Sequence, residues 1–222
     1  MKKITLTILL ISVSLIGQNI DLEVIKSKVA TENDLVHSEN LNDLIFGEKW
    51  GYHSGAIGIA KTSSTLKNSS EINYEIKNIY DLDLRTAWIE GKNDYGKGEN
   101  FSFKFNYKNP NDIFGNPYNF YGIIEIFNGY CKNEITWKEN SRVKRLKVYF
   151  NDKPLCFIEL KDTWQYQRID LRKFFKHPNW FPNGKISVVD GDVIKFEIVE
   201  IFKGTKYKDT AISEFVFDSP GN

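Results

Sequence analysis

The chain has 222 residues, with 30 basic and 29 acidic side chains and a formal charge of +1. Balanced charge removes the electrostatic case for nucleic-acid binding, and the length fits one domain with a full-sized core. His37, His53 and His177 are far apart, so no His-x-x-x-His metal spacing exists, and neither a Gly-x-Ser-x-Gly elbow nor a phosphate-cradling glycine loop is present.

The first element in chain order is a targeting segment. Met1-Lys2-Lys3 is a basic start, residues 4–16 are apolar, and Gly17-Gln18 resembles a cleavage site. The apolar run is shorter than the ~20 residues a spanning helix needs, so residues 1–18 are expected to be a signal peptide removed on export. A secreted or periplasmic protein with no membrane span follows, and no cysteine near the cleavage region suggests a lipid anchor.

Residues 19–55 form a polar leader or linker with some helical periodicity in Leu22, Ile25 and Val29, then Leu35, Leu41 and Leu44. From residue 56 short β-rich runs alternate with Gly, Asn, Asp and Pro turns. Strands are expected at 57–60, 101–105, 122–127, 143–150, 156–160, 165–170, 193–202 and 213–217, with a helical turn at 171–175. In the run from Arg142 to Lys147 basic and apolar residues alternate as on the wet face of a strand. Strands in this number, without long helices, indicate an all-β sandwich or jelly roll over 56–218.

Cys131 and Cys156 both lie in strand-like surroundings. An oxidising compartment permits a disulfide between them, and two buried thiols is the equal alternative. Neither has a nearby His that would make it a nucleophile.

The densest motif is Asn78-Ile-Tyr-Asp81-Leu-Asp83-Leu-Arg-Thr86-Ala-Trp88-Ile-Glu90-Gly91, read with Ser213-Glu214. Asp81, Asp83 and Thr86 suit either a self-bonded turn or a hard cation that takes oxygen ligands. Asp81 with Asp83 is material for acid–base work, but carboxylates in so short a turn are more often structural. No enzyme is expected. A hydrolase would need two carboxyls facing each other across an open cleft.

Thr62-Ser63-Ser64-Thr65-Leu66, the Asp81-x-Asp83-x-x-Thr86-Ala-Trp88 turn, Glu90-Gly91 and Gly96-x-Gly98-Glu99 resemble a discoidin domain of the coagulation-factor C type. Phe127-Asn128-Gly129-Tyr130-x-Lys132-Asn133, Asn140-Ser141-Arg142-x-Lys144 and Tyr207-x-Asp209-Thr210-Ala211-Ile212-Ser213-Glu214 resemble its bacterial variant, the translocation domain of streptococcal NAD glycohydrolase, described as an NADase-type glycan-binding domain. The resemblance covers about 56–218. It implies a galactose-binding-like (discoidin) jelly-roll β-sandwich and a structural Ca²⁺ held by Asp81, the backbone at Asn78 and Asp83, Thr86 and Glu214. The alternative is that these carboxylates bond to backbone amides and Arg85 without metal. Past residue 218 nothing is left to host the relatives' enzyme, so NAD cleavage is not carried over.

Sugar recognition wants an aromatic face for the ring and polar groups for its hydroxyls. The loops 90–99 and 128–140 offer Glu90, Tyr95, Asn128, Tyr130, Trp137 and Arg142, with Asp94 and Asn133 beside them. Trp88 is assigned to the core. Tyr130 either stacks or holds its loop, and Tyr95 and Trp137 are the better exposed aromatics. The expected function is a secreted, non-catalytic module that binds an extracellular glycan. The alternative is a protein–protein adaptor of the cell envelope that uses the same loops.

Overall fold

The computed structural model describes residues 21–29, 57–69, 72–81, 83–105, 122–176 and 182–217. The signal peptide and the leader positions Leu35, Leu41 and Leu44 lie outside them.

Among the described residues eleven strands form: β1 (Val24–Lys26), β2 (Lys28–Val29), β3 (Ile57–Thr62), β4 (Trp88–Ile89), β5 (Asn100–Phe105), β6 (Ile123–Asn128), β7 (Ser141–Phe150), β8 (Lys153–Glu159), β9 (Gln167–Asp170), β10 (Val193–Phe202) and β11 (Thr210–Phe217). One layer runs β3-β5-β10-β7-β8-β1 and the other β2-β9-β6-β11-β4. They join where the start of β11 pairs in parallel with the start of β7, Thr210 opposite Ser141. The result is the expected β-sandwich.

Alternation explains the core. Phe101, Phe103 and Phe105 on β5 and Phe196 on β10 point inward, where they meet Phe215 and Phe217 of the facing layer. Phe103 stacks on Phe215 with centroids 5.9 Å apart, and Phe101 meets the same ring edge-on at 4.9 Å. Such offset and T-shaped pairs suit the ring quadrupoles and add to the burial itself. Trp88 is buried against Phe101, as its assignment to the core required.

All eight expected strands form, with ends shifted by a few residues. The leader departs from expectation: its helical spacing is overridden, and β1 pairs in parallel with β8 while β2 pairs with β9. Sheet edges offer unpaired backbone groups, and this segment satisfies them. Residues 171–175 form turns, the amide of Phe174 donating to the carbonyl of Leu171, rather than a helical turn. On β7 the strict alternation breaks. A register shift sets Ile201 opposite Val143 and Glu200 opposite Arg145, so Val143 and Leu146 both reach the interior. Lys144 and Arg145 stay half-exposed and share Glu200, but Arg142 is buried.

Among the described residues two short helical pieces lie outside the strands. A 3-10 turn spans Ile76–Ile79, and helix α1 spans Glu134–Glu139 with no buried residue. What starts α1 is its cap. The Asn133 side chain accepts from the Thr136 amide, and the Thr136 hydroxyl accepts from the Asn133 amide. Both cysteines are buried free thiols, Cys156 in the main core and Cys131 in a smaller cluster with Phe127 and Tyr166, which settles the alternatives in favour of thiols.

Candidate functional site

Two regions gather the polar residues: the turn before β4, and the end of the sandwich where the loops 90–99, 129–140 and 203–209 meet.

In the turn, the Asn78 side chain donates to the carbonyls of Asn73 and Ala87, tying the 3-10 segment to the approach of β4. Asp81 accepts from the Asp83 amide at 3.0 Å, and the Thr86 hydroxyl lies 3.0 and 2.8 Å from its two carboxylate oxygens. The Asp83 carboxylate turns away, held by the Arg85 guanidinium through two 2.7 Å bonds. Those bonds hold its carboxyl below the ordinary range, burial opposing them. Only the Asp83 carbonyl faces Thr86, accepting from its amide and hydroxyl.

The last strand closes this region. The Ser213 hydroxyl donates to the Thr86 carbonyl and accepts from the Cys131 amide. Glu214 is buried, and its carboxyl lies beside that of Asp81, close enough for the two to interact. Partial burial pushes the Asp81 carboxyl above its ordinary value, the bonds from Thr86 and the Asp83 amide and the neighbouring Glu214 carboxyl act in the opposite direction, and the Asp83 charge adds a smaller upward push. A bond between two carboxyls needs a proton on one of them, and a divalent cation removes that need. Two carboxyls drawn together beside hydroxyl and carbonyl oxygens have the donor chemistry of a hard cation. Among the described residues no group of three or more His, Cys, Asp or Glu could hold a metal, so the other ligands here would be neutral oxygens.

At the loop end, four of the expected ligand-binding residues, Glu90, Asn128, Tyr130 and Arg142, prove to be internal. Glu90 is fully buried and accepts from the amides of Lys92 at 2.8 Å and Thr210 at 3.1 Å. Burial raises its carboxyl, with Asp209 and Asp94 adding to the shift. Gly96, at φ 66, packs on this side chain, and a Cβ there would lie 2.5 Å from the Glu90 Cδ. The Asn128 amide bonds both backbone groups of Val143, donating at 2.7 Å and accepting at 3.0 Å, as a strand neighbour would. Arg142 is 6 % exposed, paired with Asp162 through Nε and Nη2 while Nη1 donates to the carbonyls of Asn140 and Lys203. These three hold loops together, and sequence order alone made them look like loop surface.

Tyr130 is buried and its hydroxyl donates to the Arg85 carbonyl at 3.2 Å, so it holds its loop. Trp137 is half-buried; its indole N–H donates to the Asn128 carbonyl at 2.8 Å and the Arg142 guanidinium lies 4.5 Å from its ring centre. Gly129 sits under this pair at φ 105, where a Cβ would come within 2.6 Å of Arg142 and 2.7 Å of Trp137. Tyr95 is half-buried, its carbonyl accepting from the Thr210 hydroxyl and its ring lying beneath Lys203 and Lys208. Asp94 accepts from the Gly96 amide, and Asn133 caps α1. Sequence reasoning passed over Lys203, Lys208, Trp164 and Tyr207, all exposed around this end. Three lysines and a tyrosine within 203–208 were the available signal.

The model of the NAD glycohydrolase translocation F5/8 type C domain matches residues 51–218. The chain belongs to that family. In fold it is similar to the CBM32-1 and CBM32-2 domains of Clostridium perfringens ZmpB, with a TM-score of 0.53 and 13 % identity over 89 % of this chain and 41 % of that one. The same domains in complex with GalNAc give a TM-score of 0.52 at 11 % identity, covering 89 % of this chain and 40 % of the other. The chain thus spans about two fifths of the length of these structures. No curated protein sequence matches it. At such low identity the likeness carries the fold, a discoidin-like β-sandwich, and leaves the ligand to the site itself.

Proposed function

We propose that this family member is an exported, non-catalytic module that binds an extracellular glycan at the loop end of its sandwich. The observation that carries the reading is that Tyr95 and Trp137 are only half-buried on loops fixed by the buried Glu90, Asn128 and Arg142. An aromatic face on a rigid loop meets a sugar ring without the ordering cost a mobile loop would add. The Clostridium perfringens domains of similar fold have GalNAc bound, which supports a sugar as the ligand class. The targeting character of residues 1–18 supports export.

The carboxylates argue against hydrolysis as the function. Asp83 faces Arg85, Glu90 faces backbone amides, and Asp81 faces Glu214. We read the Asp81–Glu214 contact as a structural Ca²⁺ site completed by Thr86 and the backbone at Asn78 and Asp83. The ion would supply the charge that lets both carboxylates ionise side by side and so fasten the turn to β11.

Calorimetric titration of the full chain with GalNAc and galactose-terminated oligosaccharides tests the binding reading. Saturable binding is expected, weakened about tenfold by Tyr95→Ala with an unchanged melting temperature. No binding to any sugar by well-folded protein would overturn it. A protein partner is the second reading, favoured by Ile135 at 68 % and Trp164 at 49 % exposure. Loss of a purified protein partner on Ile135→Ser and Trp164→Ser, with sugar binding absent, would establish it.

A further inference from the structure

The connection between β10 and β11 carries three lysines, and they are not equivalent. Lys206 is paired with Glu139 at 3.3 Å and lies over Tyr207. Lys203 and Lys208 are exposed and make no ion pair among the described residues, yet both ammonium groups are drawn to one ring, 5.1 and 5.9 Å from the centre of Tyr95. Two like charges gathered at one ring repel, and an exposed cation–π contact is too weak to neutralise either.

The nearby acids do not compensate them. Glu90 is buried on the amides of Lys92 and Thr210, and Asp94 accepts from Gly96. Asp209, whose charge is felt at Glu90, makes no ion pair with either lysine. A second tyrosine makes the contrast. Tyr149 on β7 also lies under two lysines, Lys147 at 5.0 Å and Lys195 at 4.7 Å. There the charges are met: Lys195 pairs with Asp152, and Glu197 lies opposite Lys147 and accepts from the Tyr149 hydroxyl.

The Lys203–Lys208 connection is also held in place. The amides of Thr205, Lys206 and Tyr207 donate to the carbonyls of Lys138 and Glu139, and the Arg142 guanidinium binds the Lys203 carbonyl. A Cβ at Gly204 would collide with the Glu139 carbonyl, so the loop lies flush on the end of α1. The two cations are therefore presented rather than left to wander.

We propose that Lys203 and Lys208, both drawn to the Tyr95 ring, form a subsite for an acidic sugar, one carrying a carboxylate or a sulfate. The inference rests on the glycan-binding reading and narrows it to a substrate class. The anion takes charge-assisted bonds from the ammonium groups while the sugar ring lies against the tyrosine.

Binding of the full chain to immobilised lactose, sialyllactose and sulfolactose tests it, with phosphatidylserine vesicles as a further arm. At least one acidic sugar is expected to bind about tenfold or more tightly than lactose. Lys203→Gln with Lys208→Gln should abolish that preference while leaving lactose binding intact, at about tenfold (about 1.4 kcal/mol) per lysine. Lys147→Gln with Lys195→Gln removes the same charge elsewhere and should keep the preference. Equal binding of lactose and both acidic sugars would overturn the acidic subsite and leave the glycan reading standing. No sugar binding at all would overturn both. A preference that survives in the Lys203/Lys208 variant, or binding to vesicles alone, would reject the subsite.

Discussion

The carboxyl of Asp81 lies beside that of Glu214, which brings the turn before β4 against the middle of the last strand. Glu214 is buried, so whatever neutralises this pair contributes to the stability of the whole sandwich. A proton would do so in acid, and a bound divalent cation would do so at neutral pH.

Calcium is therefore expected to stabilise the protein. At a hundredfold excess over its dissociation constant a ligand adds about 2.7 kcal/mol, which for a chain of this size raises the melting temperature by about 5–10 °C. Glu214→Gln should abolish the calcium-dependent part. Identical melting curves in chelator and in millimolar calcium would remove the metal from the account.

The same pair gives a pH dependence. The Asp81 carboxyl is raised above its ordinary 3.8, so between that value and its folded value the folded state binds more protons than the unfolded one. Stability of the chelated protein should be fullest below the ordinary value and fall as pH rises through this window. Calcium, which binds the deprotonated carboxylates, should flatten or reverse the fall. Urea unfolding of wild type and Asp81→Asn across pH 3.5–6.5 checks the assignment. A slope unchanged by the substitution would place the titrating group elsewhere.

Arg142 and Asn128 hold loops from within, so their loss should appear first as lost stability. Arg142→Ala leaves Asp162 and two backbone carbonyls unpaired and removes the partner of Trp137, at a cost of about 3 kcal/mol. Asn128→Ala orphans both backbone groups of Val143, at about 2 kcal/mol. Denaturant unfolding reads both, and a variant that loses sugar binding with unchanged stability would contradict the structural role.

Cys131 and Cys156 are buried, and burial pushes both thiols up to about 12. Native protein should react slowly with a thiol reagent, and two thiols per chain should titrate in denaturant without reductant. A titre near zero would mean that the pair is oxidised.

The strands were legible because alternation and turn residues are local. What escaped was decided by tertiary contacts. Trp88–Ile89 is two residues long and buried on both sides, so β4 offers no alternation. The leader strands Val24–Lys26 and Lys28–Val29 carry helical-looking spacing, and only the free edges of β8 and β9 make them strands. Helix α1 is six residues long and buries none of them, so no apolar face announced it and its signal was the Asn133–Thr136 cap.

At the site, the Asp81–Thr86 turn could be read from spacing, but its partner Glu214 was reachable through resemblance alone. Glu90, Asn128 and Arg142 have the polar side chains that sugars bind and lie at or beside strand ends, but burial is not written in residue type. Lys203 and Lys208 were passed over for the converse reason: a lysine in a loop looks solvated until its ring partner is known.

The most direct measurement is a glycan array of neutral and acidic sugars probed with the full chain, with Tyr95→Ala beside it. The account predicts selective binding by the wild type that is lost or strongly reduced in the variant. A blank array from well-folded protein, or identical binding by the two, would contradict it.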